Sequence, residues 1–199
     1  MWQVVLAVTP TTVTLFLLGA LALALGLALW SARAPHRPAP RTTARALLAA
    51  WLLLILVVTL VPTQPVGSSD ATFWWRPGEG MFELGAQLEP GEVAMVVRRQ
   101  IAGTALFVPV SLLLRFAAPR WSVAGTFLFG VGLSLVIELA QLLMRAGRVA
   151  DIDDVLCAAA GTVAGALLAL LAKLAAAVCR RALPPRAVGA APAPAPEEA

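Results

Sequence analysis

Five apolar stretches constrain this chain more than any other feature, each close to the roughly 20 residues that a helix needs to cross a bilayer. They fall at about residues 12–30, 46–61, 101–116, 122–144 and 155–178. The third is short, and residues 92–100 extend the same helix beyond the membrane. Composition points the same way. Only 13% of the 199 residues are charged and 60% are hydrophobic, whereas a soluble domain carries about a quarter charged residues. With a mean hydropathy of +0.85, the chain has too little polar surface to cover itself in water. The reading is an all-α fold: a polytopic membrane helix bundle with about five transmembrane helices, multi-pass in the cell membrane. Residues 1–183 form the integral membrane domain, including a long loop at 62–100. The Ala/Pro-rich stretch 184–199 reads as a disordered cytoplasmic tail.

The first span resembles a signal peptide only superficially. Its apolar run is too long for an h-region, nothing basic precedes it, and a cut after Ala34 would fall before Pro35. We expect it to be retained.

Basic residues orient membrane proteins, because cytoplasmic loops are enriched in them. If five helices alternate, one side holds Arg33, Arg37, Arg41, Arg45, Arg115, Arg120, Lys173, Arg180, Arg181 and Arg186. The other holds Arg76, Arg98, Arg99, Arg145 and Arg148, with eight acids: Asp70, Glu79, Glu83, Glu89, Glu92, Asp151, Asp153 and Asp154. The sequence therefore places the N-terminus outside, the C-terminus in the cytoplasm, and Trp30 and Trp121 at the inner interface. The Phe73-Trp74-Trp75 knot in the outer loop either dips into the outer interface or packs on the bundle.

Several function classes drop out. The basic residues, despite a pI near 10.4, are scattered among apolar spans and form no nucleic-acid face. Cys157 and Cys179 are 22 residues apart, about 33 Å along one helix, so both thiols should be free. The single histidine, His36, has no partners for a zinc site. We expect no cofactor.

The concentrated polar chemistry lies where the fourth and fifth spans meet. Glu138 falls inside the fourth span, and a carboxylate in hydrocarbon must pair, face a wet cavity or take up a proton. Gln141 and Arg145 follow at i+3 and i+7 and form one stripe with it. After a tight connection through Gly147 and Arg148 come Asp151, Asp153 and Asp154, of which Asp151 or Asp153 can accept hydrogen bonds from the first turn of the fifth helix. Gly161 and Gly165, spaced as G-x-x-x-G, allow another helix to approach closely. The sequence thus implies a helical hairpin with Glu138, Gln141, Asp151 and Asp154 converging at its mouth. Arg98 and Arg99 on the third helix, and Arg145, are natural counter-charges. Pro109 implies a kink or an unpaired carbonyl at Ala105 in the third span.

Glu138-x-x-Gln141, Arg148-x-x-Asp151-Ile152-Asp153-Asp154 and Gly161-x-x-x-Gly165 resemble the VanZ-like family of membrane proteins, over about residues 40–175. Leu106-Phe107-Val108-Pro109 looks like that family's Leu-Leu-Phe-x-Pro element. The resemblance implies an envelope role at the outer membrane face, since the founding member is associated with resistance to the glycopeptide teicoplanin; it does not imply an enzyme. Two amides that are common in the family are missing. Gly103 and Ala158 stand where an Asn often does, and Ser111 stands where a Gly does.

Three functions follow as expectations. The first is a VanZ-like envelope protein whose outer surface contacts glycopeptide, membrane lipid or a cell-wall precursor. The second is a membrane-embedded enzyme with Glu138 as general acid or base and Asp151 and Asp154 as ligands for a hard cation, although no nucleophile is evident. The third is a transporter or an accessory subunit, which the lack of an internal repeat disfavours.

Overall fold

A computed structural model describes residues 8–34, 37–62, 64–70, 72–78, 90–147 and 149–182. Five helices account for nearly all of it: α1 (Pro10–Arg33), α2 (Ala39–Leu60), α3 (Pro90–Ala117), α4 (Val123–Met144) and α5 (Ile152–Ala182). All five are long and apolar enough to cross a membrane. Two-residue strands, β1 (Phe73–Trp74) and β2 (Ala150–Asp151), complete the fold. The expected tail, Arg148, and residues 79–89 of the long loop lie outside the described residues.

Local chemistry sets the helix starts. Thr9 caps α1 through a reciprocal capping box, its hydroxyl accepting from the Thr12 N–H (3.2 Å) while the Thr12 hydroxyl accepts from the Thr9 N–H (2.8 Å). Pro10 then takes the first turn, where no N–H is needed. Ser122 caps α4 by accepting from the Gly125 N–H at 2.9 Å. α3 runs unbroken through Pro109 and includes residues 92–100, the extension implied by the sequence. Its distinctive support is the Trp51 indole N–H of α2, which donates to the Leu106 carbonyl at 2.8 Å, one residue from the Ala105 carbonyl that Pro109 leaves without its helical donor.

α3 and α5 form the centre. Gly161 and Gly165 sit so close to α3 that a Cβ at either would collide with the Thr104 or Val108 carbonyl oxygen. α1 lies on α5, and both helices bury small residues: Ala20, Ala24 and Ala28 on α1, and Ala169, Ala172 and Ala176 on α5. α2 packs on α3, and α4 mainly on α5. In a membrane, where apolar burial drives little helix association, such small-residue seams let van der Waals contact do it. The outward faces are oily: Leu18, Leu53, Leu128, Leu143 and Leu171 are each more than half exposed. Water-soluble monomers rarely present such a girdle, and lipid is its natural cover. The chain is a multi-pass membrane protein.

The bundle has two chemically distinct ends. Among the described residues, Asp70, Glu92, Asp151, Asp153 and Asp154 cluster at the end where α4 gives way to α5, with Glu138 about two turns inside. The opposite end gathers Arg37, Arg41, Arg45, Arg115, Lys173 and Arg180. Both cysteines are free thiols.

Candidate functional site

The site at the acidic end is built on the α4–α5 turn. α4 stops at Met144 because Arg145 adopts a left-handed conformation (φ 47°), and Gly147 follows at φ 74°. The chain reverses into β2, and α5 starts at once. Asp151 caps it: its Oδ1 accepts from the Asp153 N–H at 3.0 Å, two residues on. Glu138 is buried against the same turn, and its Oε2 accepts from the backbone N–H of Asp151 at 3.0 Å. The intramembrane acid is therefore met by a peptide donor at the positive end of the α5 dipole.

Arg99 closes the arrangement from α3. Its guanidinium donates to Asp154 Oδ2 at 2.7 Å and faces Asp151 Oδ2 at 3.7 Å. Asp151 is buried, whereas the Arg99 side chain is 48% exposed and opens toward solvent. Burial holds the Asp151 carboxyl above the usual carboxylate range, outweighing the Asp153 N–H and Arg99, which favour its charge.

The long loop straps this turn down. β1 pairs with β2 in parallel, Phe73 opposite Ala150 and Trp74 opposite Asp151, and the Ala150 N–H donates to the Thr72 carbonyl at 3.1 Å. Both Asp153 carboxylate oxygens accept from the Gly78 N–H, at 2.9 and 3.0 Å. The last carbonyls of α4, at Met144 and Arg145, accept from Gly67 and Ser69, and the Ser69 hydroxyl accepts from the Gly147 N–H at 2.8 Å. Helix ends leave such groups unpaired unless something else meets them; here the loop does. The aromatic knot thus docks on the bundle through backbone pairing, with Phe73 and Trp75 still half or more exposed.

The convergence implied by the sequence is partial. Glu138, Asp151, Asp154 and Arg99 do come together. Gln141 does not join them: its side-chain amide donates to the Thr59 carbonyl at the end of α2, at 3.0 Å. Arg145 is not their counter-charge either. The left-handed turn aims it at the loop, where it donates to the Ser69 carbonyl and pairs with Asp70 at 3.5 Å. Arg98 pairs with none of these carboxylates, since a neighbour of Arg99 points about 100° away around the helix. Arg148 lies outside the described residues. Gly103 and Ala158, the positions lacking the amides, face the α3–α5 seam: Gly103 lies beside Cys157, and Ala158 is fully buried.

Sequence reasoning missed Thr59, Ser69 and Gly78, whose contributions are a backbone carbonyl, a hydroxyl and a backbone N–H. Only Gly78 carried a signal, the Pro77-Gly78 turn pair. Among the described residues, no hydroxyl or thiol is hydrogen-bonded to Glu138, Asp151, Asp153 or Asp154. Among the described residues, no three His, Cys, Asp or Glu side chains gather in a metal-binding group.

The model of the VanZ/LLP1 family matches residues 46–173, well over half of the chain. This chain belongs to the VanZ/LLP1 family. The match begins inside α2 and ends inside α5, so it takes in the whole acidic-end site. The VanZ family is linked to glycopeptide resistance. Neither the curated proteins nor the solved structures hold a match to this chain.

Proposed function

We propose that this VanZ family member resides in the cell membrane with its acidic end outside, and there lowers susceptibility to teicoplanin-type glycopeptides. The observation that carries the reading is the Arg99–Asp154–Asp151–Glu138 cluster. It spans three helices of the family-matched segment and keeps a half-exposed guanidinium at its mouth. The positive-inside bias supports the orientation, since five alternating spans put ten of the sequence's basic residues opposite this cluster and five on its own side. In that orientation the cluster and the exposed Phe73 and Trp75 face the space where antibiotic, lipid headgroups and cell-wall precursors meet.

The test is expression of the full chain in a sensitive Gram-positive host, with teicoplanin susceptibility measured beside a quantified membrane fraction. The wild type should raise the inhibitory concentration. Arg99→Gln removes the part-exposed pair with Asp154 and the longer contact with Asp151; it should lose most of that effect while the quantified membrane fraction shows that it still inserts. Normal insertion with no wild-type shift overturns the function. A shift that survives Arg99→Gln moves the activity away from this cluster.

A further inference from the structure

The opposite end of the bundle holds a basic cleft, remote from the cluster that carries the glycopeptide reading. A cleft of about 280 Å3 lies between the ends of α1, α3 and α5, with the start of α2 at its rim. Four cations line it: Arg41, Arg115, Lys173 and Arg180. Its remaining wall is small and apolar apart from Ser31, with the Phe116 ring alongside.

Loop cations suffice to orient a membrane protein, but Lys173 is no loop residue. It sits in α5, nine residues before the last helical position, and is half-buried. Its ammonium donates to the Arg115 carbonyl at 2.7 Å and lies 4.8 Å from the Phe116 ring centre. The Arg115 guanidinium donates to the Trp121 carbonyl. These contacts fix the positions of two charges and neutralise neither. Among the described residues, Arg41 and Arg180 make no ion pair, and every carboxylate belongs to the other end of the molecule. Four like charges around one cleft repel each other and call for an external anion. Trp30 and Trp121, both about two-fifths exposed, mark this level as a membrane interface. The anions concentrated at that level are lipid phosphates, and the apolar wall suits their acyl chains.

We propose that this cleft binds the phosphate of an anionic phospholipid. The test uses the full-length, delipidated protein in neutral detergent, with native mass spectrometry and phosphatidylglycerol, phosphatidylcholine or inorganic phosphate as separate probes. Phosphatidylglycerol should be retained well above phosphatidylcholine. Arg41→Gln and Arg180→Gln disturb no contact that holds the fold, and each should weaken phosphatidylglycerol binding about five-fold, with the double variant weakened about 25-fold. Lys173→Met should weaken it at least as much, and a melting curve shows whether that variant is still folded. Three results each overturn the proposal: the double variant binding phosphatidylglycerol like the wild type, equal retention of phosphatidylcholine, or millimolar inorganic phosphate displacing the lipid with the same dependence on Arg41 and Arg180. The last would make the cleft a site for soluble anions.

Discussion

The two ends of the bundle meet the same problem with opposite halves of the peptide group. At the acidic end, carboxylates are held by backbone donors: Glu138 by the Asp151 N–H, Asp151 by the Asp153 N–H, and Asp153 by the Gly78 N–H. At the basic end, cations are held by backbone acceptors: Lys173 by the Arg115 carbonyl, Arg45 by the Ala117 carbonyl, and Arg115 by the Trp121 carbonyl. The geometry follows from helix direction. α5 begins at the acidic end and exposes N–H groups there, and α3 finishes at the basic end and exposes carbonyls. The difference is one of closure. The acidic end adds Arg99 as a half-exposed counter-charge and a loop laid across it. The basic end has neither among the described residues, and a cleft remains.

The comparison depends on α3 and α5 staying locked, since each supplies groups to both ends. Gly165→Val should therefore have the largest effect. Its side chain meets the Val108 carbonyl and the Ser111 hydroxyl, and overpacking of this kind costs about 1–3 kcal/mol or more. A lowered melting temperature in detergent checks this, and unchanged melting would show that the seam is looser than the glycine contacts indicate. Glu138→Leu breaks only the acidic end. It leaves the buried Asp151 N–H without an acceptor, for a loss of about 1–3 kcal/mol. Glu138→Gln keeps an acceptor oxygen and should lose clearly less. Equal losses in the two variants would mean that charge, not the hydrogen bond, is what Glu138 supplies.

The smallest effect is a pH slope. Burial raises the Asp151 carboxyl above its ordinary value. Its contribution to stability is therefore fully present below the unfolded-state value and is lost as pH rises through the folded one. Asp151→Asn keeps a capping oxygen and removes this titration. The stability difference should shift in favour of the variant as pH rises through and above the ordinary carboxylate range, read as melting temperature against pH. A shift in the other direction would show that attraction to Arg99 outweighs burial.

The spans were legible because length and apolar content alone decide them, and even the extension of the third helix over residues 92–100 follows from its sequence. Asp151 was legible as one of two candidate caps because an acid before an apolar run has local chemistry to satisfy. The loop strap was not. Two-residue strands carry no periodicity, and the pairing of Phe73 with Ala150 joins segments far apart in the chain. Gln141 and Arg145 were misdirected because a helical stripe describes neighbours on one helix. Their partners, Thr59 and Ser69, belong to other segments, and the left-handed turn at Arg145 takes that side chain off the stripe. The basic cleft was hidden for a similar reason. The cations can be listed from the sequence, but which of them share a wall depends on α1 packing against α5, and no motif encodes that.

Asp151 is gripped from two sides at once. Its N–H is the donor to Glu138, while the preceding residue is tied to the loop through Thr72. A molecule that seized the exposed Trp75 and tugged it outward would draw β2 with it and loosen the peptide on which the buried acid depends. The loop would then act as a lever, turning a grip at the surface into a change of polarity two helical turns deep.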